Sequence, residues 1–120
     1  MSVQSISAVT LAVQNMGKSV DFYHGPVGLP LLYGGKDSSF TSFKIGETFL
    51  NLVLEPQGQP TWWGRLIFHV DDVDAFHRRL TAAGLTSTTA PADAPWGERY
   101  FHINDPDGHE LSFARPLYQV

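Results

Sequence analysis

The sequence contains no cysteine. Disulfides, thiolate metal sites and thiol nucleophiles are therefore excluded, and any metal would fall to His, Asp or Glu. Positive charge is also scarce: eight Lys and Arg stand against twelve Asp and Glu, for a formal net charge of −4. The basic residues are scattered, which argues against nucleic acid as a partner, since that calls for a clustered basic surface. Nor is there an apolar run of the length a membrane-spanning helix needs. The N-terminal "MSVQSISAVTLAV" lacks the basic start and cleavage site of a signal peptide, and its apolar part alternates like a strand. The expectation is a soluble cytoplasmic protein without membrane or nucleic-acid partners.

What the chain does have is an internal repeat. Its 120 residues suit one domain able to bury a real core. "LAVQNMGKSVDFYHGPVGL" (Leu11 to Leu29) and "FHVDDVDAFHRRLTAAGL" (Phe68 to Leu85) share one design. Each begins as a strand ending at Val13 or Val70, followed by a cap candidate, Asn15 or Asp71/Asp72. Met16, Val20 and Tyr23 then make the apolar stripe of a first helix, and Val73, Phe76, His77 and Leu80 that of a second, which Gly84 should stop. Three strand-like runs follow each helix: "LPLLYGG", "SSFTSFKIG" and "ETFLNLVLEP" in the first half, and "LTSTTAPAD", "ERYFHIND" and "GHELSFARP" in the second. The pattern is strand, helix and three strands, twice, as module one over residues 1–56, a linker over 57–61 and module two over 62–116.

This order, with "FY" in the first helix, "GL" after it, "VDDVDAF" opening the second and "PWGERYFHINDPDGHEL" near the end, resembles the vicinal oxygen chelate superfamily. That superfamily holds glyoxalase I, extradiol dioxygenases, fosfomycin-resistance enzymes and bleomycin-resistance proteins. The resemblance covers essentially the whole chain as a single domain. It implies an α+β fold in which two βαβββ modules form a partly open barrel around a cavity. One face of each module's sheet covers its helix, and the other faces the ligand.

Alternation along the strands then assigns candidate side chains to the inner face. Ala8, Thr10 and Ala12 are expected there from the first strand, and Leu50, Leu52 and Leu54 from the fourth. The fifth strand should contribute Arg65, Ile67 and His69, and the eighth Glu110, Ser112 and Ala114. Metal-dependent members of the superfamily hold a divalent ion with one His or Glu from each of these strands. The resemblance places those four positions at Ala8, Leu52, Arg65 and Ser112, with Leu52 matched to Ser112 through "EP" and "RP". None of the four is a usual ligand, so the expectation is no metal and no other cofactor. His69, His102 and Glu110 are kept as a displaced alternative site for a divalent metal.

The aromatics supply the rest of the expected ligand site. Trp62 and Trp63, adjacent on an extended segment, should point to opposite sides, one into the core and one free to stack. Trp96 and Tyr100 flank the inward strands beside Glu98. "DPDG" (Asp105 to Gly108) reads as a structural turn, and His24 and His77 as surface residues. The ligand-site candidates are therefore Leu52, Trp62, Trp63, Arg65, His69, Trp96, Tyr100, His102, Glu110 and Ser112. The function implied is that of a protein similar to the bleomycin-resistance branch, binding a small aromatic or oxygen-rich molecule in a metal-free cavity. The alternative is a metal-dependent lyase, isomerase or dioxygenase of the same superfamily. Unpaired sheet edges make a homodimer the expected assembly.

Overall fold

The computed structural model describes residues 1–59 and 61–118; Pro60, in the expected linker, lies outside them. The chain divides into two units, Met1–Gln59 and Pro60–Val120, each a four-stranded sheet with one helix. In the first, β1 (Ala8–Val13), α1 (Met16–His24), β2 (Leu31–Tyr33), β3 (Phe40–Ile45) and β4 (Thr48–Leu54) give the strand order β1-β4-β3-β2. The second repeats it with β5 (Arg65–His69), α2 (Val73–Ala82), β6 (Ala92–Ala94), β7 (Glu98–Asn104) and β8 (Glu110–Pro116), ordered β5-β8-β7-β6. In both units the first and last strands pair in parallel and the others antiparallel. Neither sheet closes on itself. Among the described residues no helix is long and apolar enough to cross a membrane.

The helices begin and end for local reasons. Asn15 and Asp72 sit in extended conformation, and their side-chain oxygens accept from the backbone N–H groups of Lys18 and Ala75, each at 3.0 Å. Those bonds satisfy donors that a helix start would otherwise leave unpaired. At the end of α2, Gly84 takes φ +88°, which only glycine adopts cheaply. The N–H groups of Leu85 and Gly84 then reach back to the carbonyls of Leu80 and Thr81, closing a Schellman turn. The "DPDG" turn is likewise built from within: Asp105 Oδ1 accepts from the N–H groups of Asp107 and His109, both at 2.9 Å.

Each helix covers one face of its own sheet. Under α1 lie Leu11, Val13, Phe43, Leu50 and Leu52, all buried, with Tyr23 against the Phe43 ring at 6.1 Å. Under α2 an aromatic cluster centres on Phe113, whose ring meets Phe76 at 4.7 Å, Phe68 at 5.2 Å and Phe101 at 5.5 Å. His77 belongs to this layer rather than to the surface, packed edge-on against Phe101 at 5.0 Å with Nε2 3.0 Å from Ser87 Oγ.

One expected inward strand is reversed. Parallel pairing sets Leu52 opposite Leu11 and Leu54 opposite Val13, and parallel partners share a face. Leu50 and Leu52 therefore belong to the layer under α1, with Leu52 fully buried, and Leu52 is withdrawn as a ligand-site residue. The match through "EP" and "RP" was one residue out. Aligning Val13 with Val70 carries Leu11 onto Phe68, and the registers Leu11 to Leu52 and Phe68 to Phe113 then set Leu52 against Phe113 and Asn51 against Ser112. The run "TFLNLVL" is apolar on both faces except at Thr48 on one and Asn51 on the other, so hydrophobicity alone could not orient it. Leu52→Ala should lower the unfolding free energy by about 2–5 kcal/mol through lost burial and the cavity left behind. Urea denaturation followed by circular dichroism checks this.

Candidate functional site on the second sheet

The face of the second sheet turned away from α2 carries most of the expected site. Alternation puts Arg65, Ile67 and His69 of β5 on it, with Glu110, Ser112 and Ala114 of β8 and Glu98, Tyr100 and His102 of β7. Register aligns these into rows: Arg65 beside Glu110, Ile67 beside Ser112 and His102, and His69 beside Ala114 and Tyr100.

Glu110 is the junction of the upper rows. Its Oε2 accepts from the Trp62 indole Nε1 at 2.8 Å and from Arg65 Nη2 at 3.2 Å, while Oε1 lies 3.3 Å from His102 Nδ1. The Trp62 hydrogen bond, joined by Arg65 and His102, holds the carboxyl below the ordinary glutamate range. His102 is pushed the other way from a typical ion-pair histidine. Burial, reinforced by the Arg65 charge, lowers its pKa, and the nearby Glu110 only partly opposes this. Near neutral pH the cluster thus holds a guanidinium, a carboxylate and an uncharged imidazole.

Below this cluster the face becomes aromatic. The Tyr100 ring lies 4.9 Å from His102 on one side and stacks on Trp96 at 5.8 Å on the other. Trp96 Nε1 donates to Glu98 Oε1 at 3.2 Å, and His69 Nε2 lies 3.7 Å from Glu98 Oε2. Trp96 remains 69% exposed, so its ring is open to a partner.

Most of the candidates converge here, with some corrections. Arg65, Glu110 and His102 meet directly, Ser112 lies buried between them, and His69, Trp96 and Tyr100 border them. Neither Trp62 nor Trp63 enters the core: they are 69% and 47% exposed. They do diverge as an extended pair should, Trp62 to Glu110 and Trp63 through Nε1 to His109 Nδ1 at 2.8 Å. The indole N–H groups explain why both stay outside, because each finds its acceptor on or just before β8. Glu98, at the start of β7, ties Trp96 to the sheet, a role that depends on the β7 register. Arg99 lies on the opposite face and clamps Asp74 at 2.8 Å and Asp93 at 2.8 Å, joining α2 and β6 to β7.

The superfamily's divalent ion can be tested against these side chains. At its two positions in this unit stand Arg65 and Ser112, a permanent cation with no lone pair to give and a neutral hydroxyl. They do not fit a divalent ion. The displaced set is only partly assembled, since Glu110 meets His102 whereas His69 lies beside Glu98. Among the described residues no group of three or more His, Asp or Glu is placed to hold a metal.

Comparison with known proteins agrees with the fold. The profile of the glyoxalase/bleomycin resistance protein/dioxygenase superfamily matches residues 5–113, and the chain belongs to that superfamily. An uncharacterised protein of Mycobacterium bovis is 35% identical over 92 residues, covering 77% of this chain and 50% of the relative. The chain thus spans about half the length of the mycobacterial relatives it matches first. The metallothiol transferase FosB of Shouchella clausii is 34% identical over 119 residues, covering 91% of this chain and 78% of its own. The crystal structure of lactoylglutathione lyase from Agrobacterium tumefaciens superposes with a TM-score of 0.80 over 94% of each chain at 20% identity, a likeness of fold.

The two displaced pKa values give stability a signed pH dependence. Because His102 titrates lower in the folded chain, the unfolded chain binds more protons just below the ordinary histidine value of about 6.5, and stability rises with pH through that window. Glu110 contributes stability that is complete above the ordinary glutamate value and is lost as pH falls through its lowered one. Thermal unfolding across this range should therefore show two acid-side losses, and His102→Gln should remove the one nearer neutrality.

Proposed function

We propose that the open face of the second sheet binds a small planar molecule with aromatic and carbonyl character, without a resident metal. The observation that carries this reading is the ladder of Trp96, Tyr100 and His102 rings leading to the Arg65–Glu110 pair. Exposed rings in a stack offer a surface for a further ring. Arg65, with 41% of its side chain exposed, offers hydrogen bonds to a carbonyl oxygen. Glu110 offsets the Arg65 charge and Glu98 adds a negative one, so the face favours neutral ligands over anions. Tryptophan fluorescence with a panel of neutral aryl ketones, quinones and flavonoids tests this. Quenching that saturates at micromolar ligand is expected, and Trp96→Ala should weaken it by roughly tenfold, the equivalent of about 1 kcal/mol of stacking. No quenching by any compound would remove the proposal.

A second reading, a metal-dependent enzyme of the superfamily, is favoured by the likeness to a relative named a metallothiol transferase. Elemental analysis separates the two. A stoichiometric divalent metal surviving dialysis would select the enzyme, with His69, His102 and Glu110 the residues to substitute.

We also propose that two copies of the chain associate. The edge strand β2 leaves Leu31, Leu32 and Tyr33 at 41%, 58% and 66% exposure, an apolar edge of the kind proteins usually cover. Light scattering should give twice the 13.3 kDa chain mass, and Leu32→Lys should shift it towards one copy.

A further inference from the structure

On the side of the second sheet that α2 covers, a serine and a histidine meet in a contact that packing alone does not require. Gly84 turns the chain back at the end of α2, and the N–H groups of Thr88 and Thr89 donate to the His102 carbonyl at 2.9 and 3.4 Å. Thr89 Oγ1 in turn accepts from the His102 N–H at 2.9 Å. The segment between α2 and β6 is thus tied to β7 directly after Ser87. His77 is fixed separately, by its place in α2 and by edge-on packing against Phe101 at 5.0 Å. The two side chains meet with Nε2 3.0 Å from Ser87 Oγ, within hydrogen-bond range. Both residues are partly exposed, so a small molecule can reach the pair.

The chemistry of the pair follows from what else each group binds. His77 Nδ1 has no partner among the described residues, so it can carry the ring proton while Nε2 accepts from the serine hydroxyl. The backbone N–H groups of Thr86 and Ser87 also have no partner among the described residues. A base for the hydroxyl proton and amide donors for a carbonyl oxygen are the parts that acyl transfer to a serine needs.

We infer that Ser87 is an acyl-accepting nucleophile with His77 as its general base, and that its substrates are activated esters and thioesters of small carboxylic acids. This needs neither the ligand face nor its residues. Nε2 takes the Oγ proton as Oγ bonds to the acyl carbon, and the carbonyl π pair moves onto oxygen, with the Thr86 and Ser87 N–H groups as its donors. When that pair returns, the bond to the leaving group breaks. The leaving group departs with the electrons of that bond as a phenolate or thiolate, and the proton on Nε2 passes to it or to water. A water molecule that gives its own proton to Nε2 then attacks the acyl-serine, which releases the carboxylic acid and restores the hydroxyl. Ser87 and His77 are the catalytic residues.

The test uses p-nitrophenyl acetate at neutral pH, with p-nitrophenolate release read by absorbance and the acetylated residue by peptide mass mapping at early times. Acetylation of Ser87 should run roughly a hundredfold faster than that of the Thr86 and Thr88 hydroxyls, which share the segment but not the histidine. Ser87→Ala should remove that label. His77→Gln, which keeps a hydrogen-bonding group beside Ser87, should slow the labelling by a similar factor while the circular-dichroism spectrum stays native. Nitrogen-15 shifts of the His77 ring should report the Nδ1–H tautomer in the unsubstituted protein, a readout that needs no variant to fold. Ser87 labelled no faster than its threonine neighbours overturns the proposal. So does an unchanged rate in His77→Gln or a dominant Nε2–H tautomer, either of which would leave the pair as a tether between the segment and α2.

Discussion

Parallel pairing of β5 with β8 joins the strand that opens the second unit to the one that closes it. In a parallel ladder partners keep their side chains on the same face. The register of Leu66 to Leu111 and Phe68 to Phe113 therefore commits one face to the aromatic core under α2. By the same geometry Arg65 is set beside Glu110 and Ile67 beside Ser112 on the other face. A slip of one residue would bury the charges under the helix and expose the phenylalanines. The hydrophobic demand of α2 thus sets the polar site at a distance, through the sheet.

Electrostatics then decides what that site holds. A carboxylate among an indole N–H, a guanidinium and an imidazole keeps its charge, because every neighbour stabilises the ionised form. The guanidinium it faces is balanced, and the imidazole is left neutral by burial and by the Arg65 cation. The three side chains thereby form an internally compensated polar cluster.

The architecture was legible because its signals were local and doubled. Caps at Asn15 and Asp72, the stop at Gly84 and the helical stripes occur at matching points of two halves. Which side chains share a face was legible wherever a strand alternated, as at Arg65, Ile67 and His69 or Glu110, Ser112 and Ala114. It was not legible in β4, whose leucines and flanking Phe49 and Val53 are apolar on both faces. There the orientation of Leu52 depends on pairing with Leu11, a contact 41 residues away in sequence. The indoles were misplaced for a related reason. Alternation correctly separates Trp62 from Trp63, but that neither is buried depends on where Glu110 and His109 stand.

The two units show how a shared fold can hold unequal chemistry. On β1 and β4, the position pair equivalent to Ile67 and Ser112 is Thr10 and Asn51, joined by a hydrogen bond from Asn51 Nδ2 to Thr10 Oγ1 at 3.3 Å. The equivalents of Arg65 and Glu110 are Ala8 and Phe49. The first unit therefore keeps the ladder and the helix packing while carrying no charge at those rows. The second has an arginine and a glutamate there and adds two indoles from the segment before β5. Since strand pairing and helix cover are common to both, the difference between an uncharged face and a charged one comes from side chains on the face that the core does not constrain. Those positions were free to diverge because Leu11, Leu52, Phe68 and Phe113 already fix each strand from the other side.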